Sequence, residues 1–280
     1  AHAKDIWTSP AWDLAQNLAA ARWVTTCTAI GARHLKSLSA DPDRVHLIYH
    51  GLNLDRFPSP RPPGDARDGS DDARPIRILS VGRAVEKKGF DRLLEALARL
   101  PANLRWNFVH IGGGDRLAAL KTQAADLGLE DRVTWRGALA QADVLAAYRN
   151  ADLFVLPCRI AADGDRDGLP NVLIEAQSQR LACISTAVSA IPEFIEDGVT
   201  GCLVPPDDIE ALAEKITALA RDPERRERLG AAGERRVRVH FDADHGLAQL
   251  IALFPGRVQP RPASAARPRP DAAAAVEAAG

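Results

Sequence analysis

The chain has 280 residues, enough for one large or two modest domains with a real core, and 46% hydrophobic with 26% charged residues is ordinary globular composition. A net charge of −1 gives bulk electrostatics no grip on nucleic acid or an anionic membrane, and no apolar run approaches the ~18 residues of a membrane span. Cys27, Cys158, Cys183 and Cys202 lie far apart with no C-x-x-C, which argues against a disulfide framework or zinc site and for buried thiols in a reducing compartment. The start, AHAKDIWTSP, lacks the basic-then-apolar pattern of a signal peptide. There is no Met, so the chain reads as a fragment or processed product.

The first segment reads as helix, strand, helix, strand. SPAWDLAQNLAAA carries apolar residues at helical spacing, with Ser9 as N-cap and Pro10 at the first helical position. RWVTTCT is a short β-branched strand, AIGARHLKSLS a brief helix and RVHLIYHG a strand. Residues 58–75 are rich in Pro, Gly, Asp and Arg and read as a mobile linker. From Ile76 strands and helices alternate. IRILSVG, LRWNFVHIGGG, RVTWRG, ADLFVLP, LACIST and GCLVP read as strands. KGFDRLLEALARL, DRLAALKTQAADLG, QADVLAAYRN, PNVLIEAQSQ and IPEFIEDG read as helices, and two more run from about Asp208 to His240. This order predicts an α/β fold, a parallel sheet with helices on both faces and ligands beyond the strands' carboxyl ends. The tail from about Pro255 is Pro/Arg/Ala low complexity and is expected to be disordered. The five tryptophans, Trp7, Trp12, Trp23, Trp106 and Trp135, read as core rather than stacking platforms.

DGDRDGLPNVLIEA, from Asp163 to Ala176, follows one predicted strand. Asp163, Asp165, Asp167 and Gly168 match the start of a calcium loop, but the bidentate Glu is missing: Ile174 stands there, and Glu175 is one residue late. A D-x-D pair holding a divalent metal against a diphosphate is chemically sound, although the pattern is short. The third reading uses the helix start. Pro170 suits the first turn, the N–H groups of Asn171, Val172 and Leu173 lack carbonyl partners, and the helix dipole adds positive potential. Gly168, beside Leu169, lets the backbone come close to a ligand. Asp167 and Glu175 flank this backbone with carboxylates that accept hydrogen bonds from hydroxyls. A diphosphate between two hydroxyl-bearing groups fits, which is a nucleotide sugar. In SVGRAVEKKGFD, Arg83 follows Gly82 at a strand end and Lys88 precedes a helix, so both can balance the diphosphate. IGGGD lacks the third Gly of a dinucleotide fingerprint and reads as a turn near the nucleotide. His50 reads as a domain-junction residue, and the histidines form no metal-ligand spacing.

SVGRAVEKKGFDRLLEAL, IGGGD, VTWRGAL, DGLPNVLIEA and IPEFIEDGVTGCLVPPDD together resemble the donor-binding half of retaining glycosyltransferases of family 4, which have the GT-B fold of two Rossmann-like domains. AKDIWTSPAWDLAQNLAAARWVTTCTAIGARHL and VHLIYHGLNLDRFP resemble the colanic-acid and exopolysaccharide branch. The resemblance implies a doubly wound sheet and a domain plan. Residues 1–57 are a remnant of the acceptor domain, 58–75 a linker, 76–240 the nucleotide-sugar domain, 241–254 a helix crossing back and 255–280 a tail. Some apolar surface is then expected to be exposed. The family's Glu-x7-Glu motif falls on Asp167 and Glu175, which implies donor-sugar contact by Asp167 and ribose contact by Glu175. Arg83 and Lys88 match its diphosphate residues. Asp in place of Glu shortens the reach by about 1.5 Å. WRGAL edges the base or is a plain turn. VSAIPE lacks a Gly that the family often has, and Glu193 reads as structural. The resemblance implies sugar transfer from a nucleotide-diphosphate donor to an exopolysaccharide or lipid-linked acceptor, without cofactor, metal or nucleic acid. It implies a cytoplasmic site of action, with peripheral contact at the inner membrane left open. A truncated module that binds nucleotide sugar and transfers nothing is the alternative.

Overall fold

The computed structural model describes residues 3–59 and 66–254. Part of the expected linker and all of the expected tail lie outside these residues.

The first segment contains helices α1 (Ala3–Trp7), α2 (Ala11–Ala20) and α3 (Ala29–Leu38), with strands β1 (Val24–Thr26) and β2 (Val45–Leu47). The strands pair in parallel, with Val24 opposite Val45. A small core of Ile6, Leu14, Leu18, Leu35 and Val45 holds the unit together. The sequence gives no apolar period for α1, whose five residues are one helical turn and a half. Pro10 is the N-cap of α2 rather than its first helical residue, with extended ψ of 143°. Its carbonyl accepts the first helical bonds from Asp13 and Leu14, and no side chain caps the helix. Trp12, expected in the core, is 66% exposed.

The main unit is a parallel sheet of six strands in the order β5-β4-β3-β6-β7-β8. These are β3 (Ile76–Val81), β4 (Trp106–Ile111), β5 (Val133–Trp135), β6 (Leu153–Leu156), β7 (Cys183–Thr186) and β8 (Cys202–Val204). All of β6 and β7 is buried, because a central parallel strand has helices on both faces; β6 is continuously apolar, and in β7 the Ser185 and Thr186 hydroxyls donate to the Leu156 and Cys158 carbonyls. Helices α4 (Phe90–Ala98), α5 (Leu117–Asp126), α6 (Gln141–Asn150), α7 (Asn171–Ser178), α8 (Ile191–Phe194) and α9 (Ile209–Arg221) alternate with the strands. Helices α10 (Pro223–His240) and α11 (Ala243–Ala252) follow. On α4, Phe90, Leu93, Leu94 and Leu97 form the buried stripe that the 3.6-residue period predicts. Truncating Leu93 or Leu94 to Ala removes about 2–5 kcal/mol of core stability. The fold is the Rossmann-like α/β arrangement expected from the sequence.

The described end of the linker is pinned rather than loose. The Gly69 carbonyl accepts the Arg105 N–H at 2.8 Å, and the buried Arg226 guanidinium donates to the Arg67 carbonyl. Burial lowers the Arg226 pKa, and the Asp152 and Asp222 carboxylates oppose that shift. Helix α11 lies against the first segment: Leu52 and Asp242 form a β-bridge, and Gly246 sits close over the Tyr49 carbonyl. Val239, Leu247 and Phe254 are each more than half exposed. Among the described residues no helix is long and apolar enough to cross a membrane.

Candidate functional site

The strand order reverses between β3 and β6. At such a point the two following loops diverge and leave a crevice. The loop after β3 carries Gly82 and Arg83, then a single 3-10 turn, Glu86–Lys88, that the sequence did not announce. Gly89 ends the turn in the left-handed region at φ 65° and starts α4. A Cβ there would collide with the Pro157 carbonyl oxygen, so only glycine lets the two loops approach. The turn after β4 is laced to the same rim: Ala84 donates to the Gly113 carbonyl at 2.7 Å, and Gly112 to the Gly137 carbonyl at 2.8 Å.

After β6 the chain runs from Pro157 to Pro170 before α7 begins. Arg159, nearly buried, fixes this loop. Its guanidinium reaches Asp91 at 3.0 Å, Asp207 at 3.3 Å and the Glu86 carbonyl at 3.2 Å. Two of the alternating aspartates, Asp165 and Asp167, meet at the Lys87 ammonium, at 3.0 and 3.6 Å, so a protein cation occupies the point between them. Asp165 pairs with Lys87 at 3.0 Å, and Asp167 with Lys88 at 2.7 Å. Among the described residues no group of three or more His, Cys, Asp and Glu is placed to hold a metal ion.

The resulting cleft of about 460 Å³ is lined by Gly82, Arg83, Lys87, Lys88 and the stretch from Asp167 to Val172. The structure therefore gathers Gly82, Arg83, Lys88, Asp167, Gly168, Leu169, Asn171 and Val172. Helix α7 opens at Asn171, so the N–H groups of Asn171 and Val172 precede the first intrahelical acceptor and sit at the positive end of the dipole. Leu173 does not join them. Its N–H donates to the Pro170 carbonyl at 3.0 Å, in a tightened first turn, and its side chain is fully buried. That corrects the expectation of a third open donor.

Lys88 is mostly buried beside its partner. Burial works against its charge, but the Asp167 carboxylate paired with it outweighs that, and its pKa is raised. The Cys158 thiol, pushed up strongly by burial, stays protonated at neutral pH and donates to Asp167 at 3.3 Å. Asp167 Oδ2 thus holds two donors, Oδ1 faces Lys87 at 3.6 Å, and a ligand hydroxyl competes with them. Glu175 lies one turn into α7, half-buried, outside the residues lining the cleft. Burial raises its pKa, and the Tyr148 hydroxyl, donating to its Oε2 at 3.0 Å, partly offsets that. Tyr148, on α6, is itself 1% exposed.

Tyr148 and Cys27 were not identified from sequence as parts of the site, and His50 was read only as a domain-junction residue. Tyr148 anchors Glu175, and Cys27 and His50 bring the first segment into the cleft wall. The His50 Nε2 lies against Asn171 Oδ1. Their partners are distant in sequence; the one available signal was that His50 follows a strand end, the position where α/β folds present ligand groups.

Residues 66–236 match the family of glycosyl transferases group 1, and the chain belongs to that family. It is 38% identical over 182 residues to the amylovoran biosynthesis glycosyltransferase AmsK of Erwinia amylovora, covering 65% of this chain and 45% of that protein. It is 32% identical over 229 residues to a Salmonella typhimurium protein named as a colanic acid biosynthesis glycosyltransferase, WcaL, covering 80% of this chain and 54% of that one. The chain spans about half the length of these curated relatives. The crystal structure of Anabaena Alr3699/HepE in complex with UDP superposes with a TM-score of 0.70 at 20% identity, covering 84% of this chain and 66% of that one. That likeness speaks for the fold, GT-B.

Proposed function

We propose that this chain is the donor-binding part of a retaining glycosyltransferase, of the family 4 type, that moves a sugar from a nucleotide-diphosphate sugar to an exopolysaccharide or lipid-linked glycan. The observation that carries the proposal is the cleft at the strand reversal, where Arg83, Lys88 and the start of α7 face one space. When the bond between the sugar and the diphosphate breaks, its electron pair stays on the diphosphate. The Asn171 and Val172 N–H groups are fixed by the helix and Lys88 by its pair with Asp167, so they need little reorganisation around that growing charge, and Arg83 adds its guanidinium from the same cleft wall. These protein cations supply the charge that a divalent ion would otherwise bring, and the reading assigns no metal or cofactor. Asp167 orients the sugar by its hydroxyls, and Glu175 accepts the ribose hydroxyls. The names of AmsK and WcaL support the polysaccharide acceptor, and the UDP complex of HepE supports the nucleotide.

The test is release of nucleoside diphosphate from nucleotide sugar by the parent, Lys88→Ala and Glu175→Ala. Removing one preorganised donor to a developing anion costs about 10²–10³ in rate, and Lys88→Ala is expected to lose that much. Unchanged rates in both variants refute the assignment.

A second reading rests on the chain spanning about half the length of its relatives: a module that binds the nucleotide sugar but transfers nothing alone. Calorimetry with UDP and GDP, run beside a transfer assay, separates the readings.

A further inference from the structure

We propose that Glu193 is a positioning residue for the cleft, clasping the two N-terminal segments that complete its wall. Glu193 is on α8, in the main unit, yet its carboxylate lies at the N-terminus of α3 in the first segment. Oε2 accepts the Ala29 N–H at 2.6 Å, and Oε1 accepts the Ile30 N–H at 2.8 Å. The Tyr49 hydroxyl donates to Oε2 at 3.0 Å.

The start of α3 is fully accounted for with this carboxylate and incomplete without it. The N–H groups of its first three residues precede the first i→i−4 bond, which Ala32 makes, and need other acceptors. Gly31 donates to the Thr28 side chain at 3.1 Å, and Ala32 to the Thr28 carbonyl at 2.9 Å. The remaining two, Ala29 and Ile30, go to Glu193. An anion at a helix N-terminus also gains from the dipole. Glu193 is itself held in place: the Arg236 guanidinium donates to its carbonyl at 3.0 Å, and Phe194 packs edge-on against Phe241 at 4.9 Å. Phe241 in turn packs against Tyr49 at 5.2 Å. Burial of the Tyr49 phenol and the negative charge of Glu193 push the Tyr49 pKa up to about 12, so the phenol remains a donor.

The consequence for the site follows from chain connectivity. Cys27 and His50 line the cleft from the first segment. Cys27 stands directly before the Thr28 cap of α3, and His50 directly after Tyr49. Each segment that reaches the cleft is thus gripped by Glu193 within two residues. Other ties between the units are the strap at Leu52, whose N–H donates to the Phe241 carbonyl at 2.8 Å and whose carbonyl accepts the Ala243 N–H at 3.0 Å, the Arg166 guanidinium over the Trp7 ring at 4.9 Å and the Trp23–Phe254 ring contact at 5.1 Å; none of these holds Cys27, and only the strap adjoins His50. Gly51, at φ 63°, sits beside this strap. With Glu193 released, the start of α3 and Tyr49 lose their common anchor, and the first segment gains freedom about Gly51 that loosens His50 from Asn171. What the clasp serves rests on the function proposed above; the clasp itself does not.

The experiment places spin labels on Lys36→Cys and Lys121→Cys, exposed positions on α3 and α5; the native cysteines are buried. The parent is expected to give one narrow distance distribution. Glu193→Ala broadens it. Glu193→Gln, which keeps one acceptor oxygen but turns an amide donor toward N–H or O–H donors, broadens it less. Far-ultraviolet circular dichroism of Glu193→Gln should match the parent, so loss of the fold is not the cause. In the same samples UDP affinity is expected to fall about tenfold in Glu193→Ala, with UMP affinity unchanged, a split that general destabilisation does not produce. A parental distribution in both variants overturns the proposal, and equal losses for UDP and UMP overturn its link to the cleft. If UDP binds none of the proteins, the distances still decide whether the clasp exists, and the functional reading fails separately.

Discussion

Tyr148→Phe is the sharpest probe of how the site is built, because it removes one atom from a residue that touches no ligand in the proposed scheme. The hydroxyl donates to Glu175 Oε2 at 3.0 Å and lies 3.4 Å from the Val172 carbonyl. The ring is fully buried against Phe154, so Phe keeps the packing. A hydrogen bond to a charged partner contributes about 1.5–3 kcal/mol, and the loss leaves a half-buried carboxylate with one donor fewer. Glu175 must be ionised and correctly turned to accept ribose hydroxyls. UDP affinity should therefore fall about tenfold or somewhat more in Tyr148→Phe, taking 1.4 kcal/mol per decade. Glu175→Gln should lose at least as much, and the double variant no more than Glu175→Gln alone, since Tyr148 acts only through Glu175. The pH dependence has a definite sign. Burial raises the Glu175 pKa and the Tyr148 bond lowers it. Removing the bond raises the pKa further, so the acid limb of UDP binding moves to higher pH. Calorimetry with UDP and its 2′,3′-dideoxy analogue provides the measurement. Additive losses in the double variant, or an equal loss for the dideoxy analogue, refute the reasoning.

Burial holds the His110 pKa down at about 4 against the usual 6.5, and neither ring nitrogen has a hydrogen-bond partner among the described residues. The unfolded chain takes up this proton below about pH 6.5 and the folded chain only near pH 4. Stability at neutral pH is therefore lost as pH falls through that window, by about 3 kcal/mol in all. In urea titrations His110→Leu should lose less stability than the parent between pH 7 and pH 4.5; equal slopes count against it. Gly89→Ala places a methyl group on the Pro157 carbonyl and a side chain in the left-handed region. It should lower the thermal midpoint and weaken UDP binding together, whereas unchanged UDP affinity would show that the two loops need not meet so closely.

The sequence disclosed the site in proportion to how local its parts are. Asp167, Gly168, Leu169 and Asn171 sit within one short stretch, and Gly82, Arg83 and Lys88 within another, each beside a strand whose apolar run is unmistakable. Parallel-sheet topology then brings strand ends together without further information. Tyr148 and Glu175 are 27 positions apart, and His50 and Asn171 are 121 apart, so their contacts depend on packing that no local pattern encodes. Glu193 was legible as structural, but its partners on α3 were not. Leu173 failed for a finer reason: whether a first-turn N–H stays open depends on whether that turn tightens onto the carbonyl of Pro170. Trp12 failed because an exposed aromatic on an otherwise amphipathic helix looks like core from composition alone.

The central claim is that side-chain and backbone positive charge at the sheet's rim takes hold of a diphosphate. The direct measurement is the affinity ratio of UDP to UMP in the parent and in Arg83→Ala/Lys88→Ala, by calorimetry in buffer containing EDTA. The account predicts that the parent prefers the diphosphate by at least tenfold with chelator present, and that this preference collapses in the double variant while UMP binding persists. A preference that vanishes on chelation in the parent, or one that survives loss of both cations, contradicts it.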